Sequence, residues 1–367
     1  MRDPVIVEAV RTPVGTAGKG LGHVDAVTLA STAMSHLVER LDRPVGEVYL
    51  GNCMGPGGNI ARVATLAAGL GDAVPALSVD RQCASGLAAI EQAIRGPAGS
   101  GVVLAGGVES ASTAPWRFWP PTADGEPVRY TRAPFAPPDR DPDMGLAADL
   151  LAENRGVTRN RQDEYAARSH ARAADAQARG AFDAEIVPVG GVHRDERIRR
   201  GISAEVLARF PPTFRANGTV TIGNSCGVND GAAVVAIADG PAGPGLRVIA
   251  AASAGVDPTT PGLGLVPAVQ RVLADSGLGI DDVDVWEINE AFAGQVLACV
   301  DELGLPEQRM CRDGGALAIG HPWGASGAVL VVRLFTQMVR EGSGRYGIAA
   351  IAAGGGQGTA VLVESCH

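Results

Sequence analysis

Residues 79–90 read VDRQCASGLAAI, and the fold turns on how that stretch is read. Ala76–Asp80 suits a short strand, and residues 84–95 (ASGLAAIEQAIR) carry apolar side chains at helical spacing. Cys83 falls between the two, at the first turn of the helix. Free N–H groups and the positive end of a helix dipole favour a thiolate, and such placement can draw a cysteine pKa from ~8.5 towards ~3.5–7.5. Ala84, Ser85 and Gly86 are small enough for a substrate backbone to come close. Taken alone, the same residues fit a buried, inert cysteine equally well.

Outward from Cys83 the chain alternates strand and helix. Val5–Val10 and Glu47–Gly51 read as strands, 26–41 and 60–70 as helices, and Val102–Gly106 as the strand after the cysteine helix. From about 246 the alternation resumes, with strands Arg247–Ala252 and Val283–Ile288 and helices 265–276, 290–303 and 324–339. Two apolar runs, Gly347–Ala353 and Thr359–Glu364, close the chain. This order predicts a mainly parallel sheet covered on both faces. The two ends echo each other. Ala84-Ser85-Gly86 opens one helix and Ala325-Ser326-Gly327 another, and each is followed by a small-apolar strand ending in glycines. That is a weak internal duplication. Between the halves lie a proline-rich stretch (111–143) with Trp116, Trp119 and Tyr130, which reads as an ordered cover over something, and the helical stretches Gly145–Arg155 and Arg161–Arg179. The run HRDERIRR (193–200) has the character of solvated surface.

Composition narrows the function. At 367 residues the chain is long enough for two or three structural units. A net charge of −9 argues against nucleic acid or an anionic membrane as a general partner. Lys19 is the sole lysine, which leaves little room for Schiff-base chemistry. Six cysteines without a CxxC pair fit neither a disulfide framework nor a zinc site, so no metal is expected. The first residues lack the pattern of a secretory leader and no apolar run reaches membrane-spanning length, so the expected location is the cytoplasm.

Three further places carry candidate chemistry. His321 lies in GGALAIGHPWGASGA (314–328), a glycine-dense loop before a helix. Asn289 opens NEAFA (289–293) at the end of the strand Val283–Ile288, where ligands collect in parallel sheets, although an asparagine there also suits a helix cap. AAGGGQG (352–358) offers bare N–H groups able to hold an oxyanion, or a plain hairpin turn. Together they make a mechanism in which Cys83 attacks a thioester, backbone N–H groups hold the oxyanion and His321 assists the thiol. Asn289 would orient a water or a carbonyl beside it.

With these pieces assembled the chain resembles the thiolase family from end to end. The resemblance rests on VIVEAVRTPVG (5–15), VDRQCASGLAAI, AGGVES (105–110), the helical run starting MGLAADLL at Met144, GTVTIGNSCGVNDGAA (218–233), WEINEAFAGQ (286–295), the histidine loop and GGGQG. It implies a five-layered αβαβα fold of two similar halves with an inserted loop domain. The expected boundaries are 1–115 for the first half, completed by about 216–245, then 116–215 for the coenzyme A-binding loop domain and 246–367 for the second half. It implies acyl-CoA thioesters as substrates, no covalently bound cofactor, and a homodimer or homotetramer. Cys83 would be the acylated nucleophile, with the Cys83 and Gly354 N–H groups as one oxyanion hole and His321 with an Asn289-held water as the other. Phe292 would line the site, Met144, Phe214 and Cys226 the pantetheine channel, and Arg199 the adenine end.

The match fails at one point of chemistry. The family pattern C-x-G-G-G places a second cysteine at position 352, where this chain has Ala352. That cysteine serves as acid and base, and losing such a group typically costs ~10²–10⁴ in rate. Cys226 stands where serine is common, Cys311 and Asp313 where asparagines are, and Pro261 where methionine is. Three readings follow. Another group (Cys311, Cys366, Cys226 or His321) supplies the base of a working thiolase. Alternatively, Cys83, His321 and Asn289 perform decarboxylative condensation or simple acyl transfer. In the third, the chain is a non-catalytic acyl-CoA-binding or partner-binding protein.

Overall fold

The computed structural model describes residues 3–96, 101–121, 125–240 and 243–366, so the outermost residues of the expected halves, 1–2 and 367, lie outside it. In chain order the strands are β1 (Pro4–Arg11), β2 (Gly15–Thr16), β3 (Val45–Gly51), β4 (Ala76–Val79), β5 (Val102–Ser110), β6 (Arg117–Trp119), β7 (Val128–Tyr130), β8 (Asn229–Asp239), β9 (Gly245–Gly255), β10 (Val285–Ile288), β11 (Tyr346–Ala353) and β12 (Gln357–Cys366). The helices are α1 (Ala26–Val38), α2 (Ile60–Ala67), α3 (Ser85–Arg95), α4 (Met144–Asn154), α5 (Arg159–Ala178), the one-turn α6 (Ala204–Leu207), α7 (Leu265–Ser276), α8 (Ala293–Leu303) and α9 (Trp323–Phe335).

The duplication is plain in the strand order. β1-β8-β5-β3-β4 forms the first half and β9-β12-β11-β10 the second, with Met310 bridging Trp286 where a fifth strand would lie. The halves join edge to edge through two residue pairs of β1 and β9, Val5 with Arg247 and Ile6 with Leu246. Helices α3 and α9, with Gly86 in the one and Gly324 and Gly327 in the other, pack on each other in the middle layer. A Cβ on Gly86 would come within 2.7 Å of the Gly324 carbonyl, and one on Gly327 within 2.6 Å of Leu87. These glycines therefore serve close helix approach rather than backbone freedom. α1 and α2 cover the outer face of the first half and α7 and α8 that of the second, so apolar residues of one sheet face inward and outward in alternation.

Two expectations are corrected. The sheet is mixed rather than mainly parallel: β3 pairs in parallel with β4 and β5, and β10 with β11, but β8 runs antiparallel to both β1 and β5. The reason is connectivity. The chain comes back from its long insertion as β8 without a helical crossover, and the glycine turn after Ala353 folds β12 back on β11. Nor is HRDERIRR simply solvated. Asp195 is buried and takes both ends of the Arg11 guanidinium at 2.7 and 2.9 Å, and Glu196 accepts the Thr16 and Gly20 N–H groups. Arg11 also meets Glu185 at 2.7 Å, and Glu185 and Asp313 both bond Arg333, with Phe182 between the two guanidiniums. This buried network ties the first strand, the insertion and the last half together. Removing one member of such a network typically costs ~3–5 kcal/mol, because it leaves an unpaired charge in the interior.

The proline-rich stretch does cover something. Its β6–β7 hairpin stacks Trp119 on Tyr130 with ring centroids 4.7 Å apart, and Phe135 beyond it lies against Gly354. No helix among the described residues is long and apolar enough to cross a membrane.

Candidate active site

Cys83 sits in the turn between β4 and α3, two residues before the helix begins. Gln82, just ahead of it, has φ of 49°, a left-handed conformation that costs a non-glycine residue energy and re-aims the chain. Local bonds hold it there. Asp80 Oδ1 accepts the Gln82 N–H at 2.8 Å, while Ser85 Oγ accepts the Arg81 N–H at 2.8 Å and donates to the Gln82 carbonyl at 2.6 Å. The turn presents the thiol to a cavity of about 720 Å³, within the range of ligand pockets.

The helix start does not give a resting thiolate. Burial pushes the Cys83 thiol up to about 12, and the nearby Cys226 and Glu109 add to this; N–H groups of Cys83 and Gly354 converge on the sulfur and pull the other way without winning. The site is therefore built to stabilise negative charge at the sulfur only once a base has taken its proton.

That base is at hand. His321 is 2% exposed, and burial lowers its pKa to about 4, so the imidazole is neutral. Its backbone N–H donates to Asn229 Oδ1 at 2.9 Å, its Nδ1 meets Ser326 Oγ at 2.7 Å, and its Nε2 has no partner among the described residues. Gly320 before it, at φ 122°, leaves no room for a Cβ against Val14 and Asn229. His321 borders a second, inner cavity of about 120 Å³, together with Cys83, Cys226, Ala352 and Gly354. Cys83, Met144, Cys226, Phe292 and Trp323 are common to both cavities.

The structure thus brings Cys83, His321, Gly354, Cys226, Met144 and Phe292 together. Phe214 joins them in the outer cavity, edge-on to Phe292 with centroids 6.0 Å apart. It does not bring in Asn289. That side chain borders a separate void of about 20 Å³ behind Ser326, room for about one water. Arg199 is exposed and lines neither cavity, whereas Arg197, two residues earlier, lines the outer one. Sequence reasoning passed over Arg197, Arg117, Phe135 and Trp323. Only Trp323, inside the histidine motif, carried a local signal. The others reach the cavity from segments distant in sequence.

A thiol at a strand-to-helix turn, two converging N–H groups and a neutral buried histidine, set between two like αβ halves, define an acyl-transfer enzyme of the thiolase fold. The chain belongs to the thiolase family, whose members are acyltransferases. Residues 4–240 match the thiolase N-terminal domain and residues 244–365 the thiolase C-terminal domain. It is 41% identical to proteins of Staphylococcus haemolyticus and Staphylococcus aureus provisionally named acetyl-CoA C-acetyltransferase VraB, over 99% of each chain. Among solved structures it is similar to the Bacillus anthracis acetyl-CoA acetyltransferase (TM-score 0.91, 36% identity, covering 100% and 99% of the two chains). It is also similar to human mitochondrial 3-ketoacyl-CoA thiolase in complex with CoA (TM-score 0.92, 32% identity, covering 100% and 98%).

Proposed function

We propose that this chain transfers acyl groups between coenzyme A thioesters through an acyl-Cys83 intermediate. The Cys83 sulfur attacks the thioester carbonyl and its proton passes to His321. The carbonyl oxygen gathers charge against the N–H groups of Cys83 and Gly354, the C–S bond to coenzyme A breaks, and the coenzyme thiolate takes up a proton. The acyl group then leaves Cys83 for coenzyme A, or for the α-carbon of a second acyl-CoA. The observation that carries this reading is that the Cys83 thiol shares the inner cavity with Gly354 and with His321, a neutral histidine whose Nε2 meets no partner among the described residues.

Met144, Phe214, Cys226 and Phe292 would flank the pantetheine, and exposed Arg199 would meet the adenine end. The loop domain (116–215) supplies Met144, Phe214 and Arg199, while the halves (1–115 with 216–245, and 246–367) supply Cys83, Cys226, His321 and Gly354. Asn289 enters only at one remove, through a water in the void behind Ser326, which gives the decarboxylative Cys83-His321-Asn289 reading less support. Assembly with a second copy is supported by apolar side chains left in solvent on α2 (Val63, Leu66), on the free edge strand β4 (Leu77) and on the hairpin (Trp116, Phe118, Trp119). Six free thiols suit a reducing cytoplasm.

Intact-protein mass spectrometry after mixing with acetyl-CoA tests the reading. An acetyl adduct that is absent from Cys83→Ala is the expected result. A folded protein that binds coenzyme A and forms no adduct with acetyl-CoA or longer acyl-CoAs would leave a binding protein.

A further inference from the structure

Acylation and condensation make different demands on protons. In acylation one proton leaves Cys83 and one joins the departing coenzyme A. In condensation a proton must leave the α-carbon of the second acyl-CoA while Cys83 is masked as a thioester. Ala352, on the wall of the inner cavity, carries no proton.

Few groups are placed to do this work. Among the described residues, the proton-carrying side chains on the inner cavity are Cys83, Cys226 and His321. Asp80 and Asp143 line only the outer cavity, and both are held by backbone N–H groups of their own turns. The remaining thiols are engaged: Cys53 donates to the Gln82 carbonyl, Cys299 to Gly262, Cys311 to Ile288 and Cys366 to Gly245. Apart from Cys83, Cys226 is the one thiol without a carbonyl partner among the described residues. Beside it stands Arg197, whose guanidinium bonds only the carbonyls of Leu317 and Ser225 and meets no carboxylate among the described residues. A positive charge without a counter-ion, next to an unengaged thiol, is suited to a thiolate that forms and disappears during a reaction cycle.

We infer that Cys226 is the acid that protonates the departing coenzyme A and the base of the second half-reaction, with Arg197 as the residue that positions and balances its thiolate. The inference rests on the acyl-Cys83 reading above. The protons balance as follows. Cys83 gives its proton to His321, and Cys226 gives its own to the departing coenzyme A thiolate, which leaves Cys226 as a thiolate beside Arg197. That thiolate removes the α-proton of the second acyl-CoA. The resulting carbanion bonds to the acyl carbon, the bond to Cys83 breaks, and His321 returns its proton to the Cys83 sulfur. Burial pushes free Cys226 up to about 12 while Arg197 pulls it down, so the thiol waits protonated until coenzyme A takes that proton.

The test uses the full chain in deuterium oxide with acetyl-CoA, reading two signals together: the acetyl adduct on Cys83 by intact mass, and deuterium at the acetyl methyl of acetyl-CoA. The wild type is expected to show both. Cys226→Ala and the near-isosteric Cys226→Ser are expected to lose ~10²–10⁴ in methyl exchange per acetylated Cys83. They should form acetyl-Cys83 more slowly, because the departing coenzyme A thiolate must then take its proton from His321 or solvent, and the adduct that accumulates also shows that they fold. Ala352→Cys placed in the Cys226→Ala background is expected to recover exchange. Arg197→Gln should lower exchange, with Arg197→Lys restoring it. If either Cys226 variant exchanges at the wild-type rate while Cys83 is acetylated, or the acetylated wild type shows no exchange, Cys226 is not the base. If the wild type forms no acetyl-Cys83, the acyl-enzyme reading itself fails, the adduct signal shows it directly, and the inference falls with it.

Discussion

Replacing His321 with alanine should change the pH law of Cys83, not merely its rate. With a thiol pKa of about 12, free Cys83 is ionised to about one part in 10⁴ at pH 8, whereas an ordinary cysteine is about one quarter ionised there. Any attack that relies on free thiolate must therefore rise tenfold per pH unit from 7 to 10. Attack with proton transfer to His321 has no such slope, because the imidazole stays neutral down to about pH 4. Stopped mixing with acetyl-CoA, quenched and read by intact mass, gives the acylation rate at each pH. The wild type should be nearly flat from pH 6 to 9. His321→Ala should be slower by ~10²–10⁴ near pH 7 and should climb about tenfold per unit, closing the gap as pH rises. Alkylation by iodoacetamide, which needs no oxyanion, supplies the control, since its slope reports the thiol alone. A wild-type alkylation midpoint between pH 7 and 8.5, or a His321→Ala acylation profile parallel to the wild type, would refute this account of a protonated thiol activated in the act.

Two further outcomes follow from packing. Asp195→Ala removes two of the buried Arg11 guanidinium's charge-assisted bonds and leaves it Glu185 alone, which also serves Arg333. It should lower unfolding free energy by ~3 kcal/mol in urea titration, whereas Arg194→Ala, exposed in the same charge run, should change it by less than ~0.5 kcal/mol. Gly354→Ala puts a Cβ 2.4 Å from the Phe135 ring; it should displace the Gly354 N–H and cut the acylation rate by ~10²-fold or more, in line with loss of one oxyanion donor. Adding Phe135→Ala should return part of that rate by relieving the clash.

What could be read from the chain divides along a physical line. Cys83, His321 and Gly354 sit in short motifs whose own turns aim them, so local pattern carried most of their geometry. The αβ alternation and the echo of Ala84-Ser85-Gly86 in Ala325-Ser326-Gly327 likewise foreshadowed two halves with α3 against α9. Features set by long-range pairing were not legible. Asp195 looked solvated because its partner Arg11 is 184 positions away. The antiparallel placement of β8 depends on how a long insertion returns, which no strand pattern encodes. Asn289 borders the void behind Ser326, outside both larger cavities, a placement set by α9 and not by its own strand end. The thiolate expected of a helix start failed for a related reason: dipole and N–H groups are local, but the burial that overrides them comes from the whole fold.

Glu109 shows how the two halves are held in register at the site, and it makes that arrangement measurable. Its carboxylate lies at the end of β5 and is fully buried. One oxygen accepts from Asn52 Nδ2 and the Met54 N–H, both at 3.0 Å. The other accepts from the Cys53 N–H at 3.2 Å and, across the middle layer, from the Gly324 N–H at 3.1 Å. Gly324 opens α9, directly after the loop that carries His321. One carboxylate therefore links the first half to the start of the helix that fixes the base. Even so, burial outweighs the N–H groups and raises its pKa from 4.5 to about 7. The sign is then determined: between pH 4.5 and 7 the folded protein holds a proton that the unfolded chain has released, so this group's contribution to stability falls as pH rises. The loss amounts to about 3 kcal/mol in all, at up to ~1.4 kcal/mol per pH unit. Glu109→Gln keeps the shape and removes the titration. Whatever constant offset the amide introduces, the wild type should lose stability relative to the variant across this window and run parallel to it above about pH 8. Denaturant titrations of both proteins at pH 5, 6, 7 and 8 decide the matter. Parallel profiles throughout would mean that the carboxylate between the halves is already ionised at pH 5, and that four donors outweigh its burial after all.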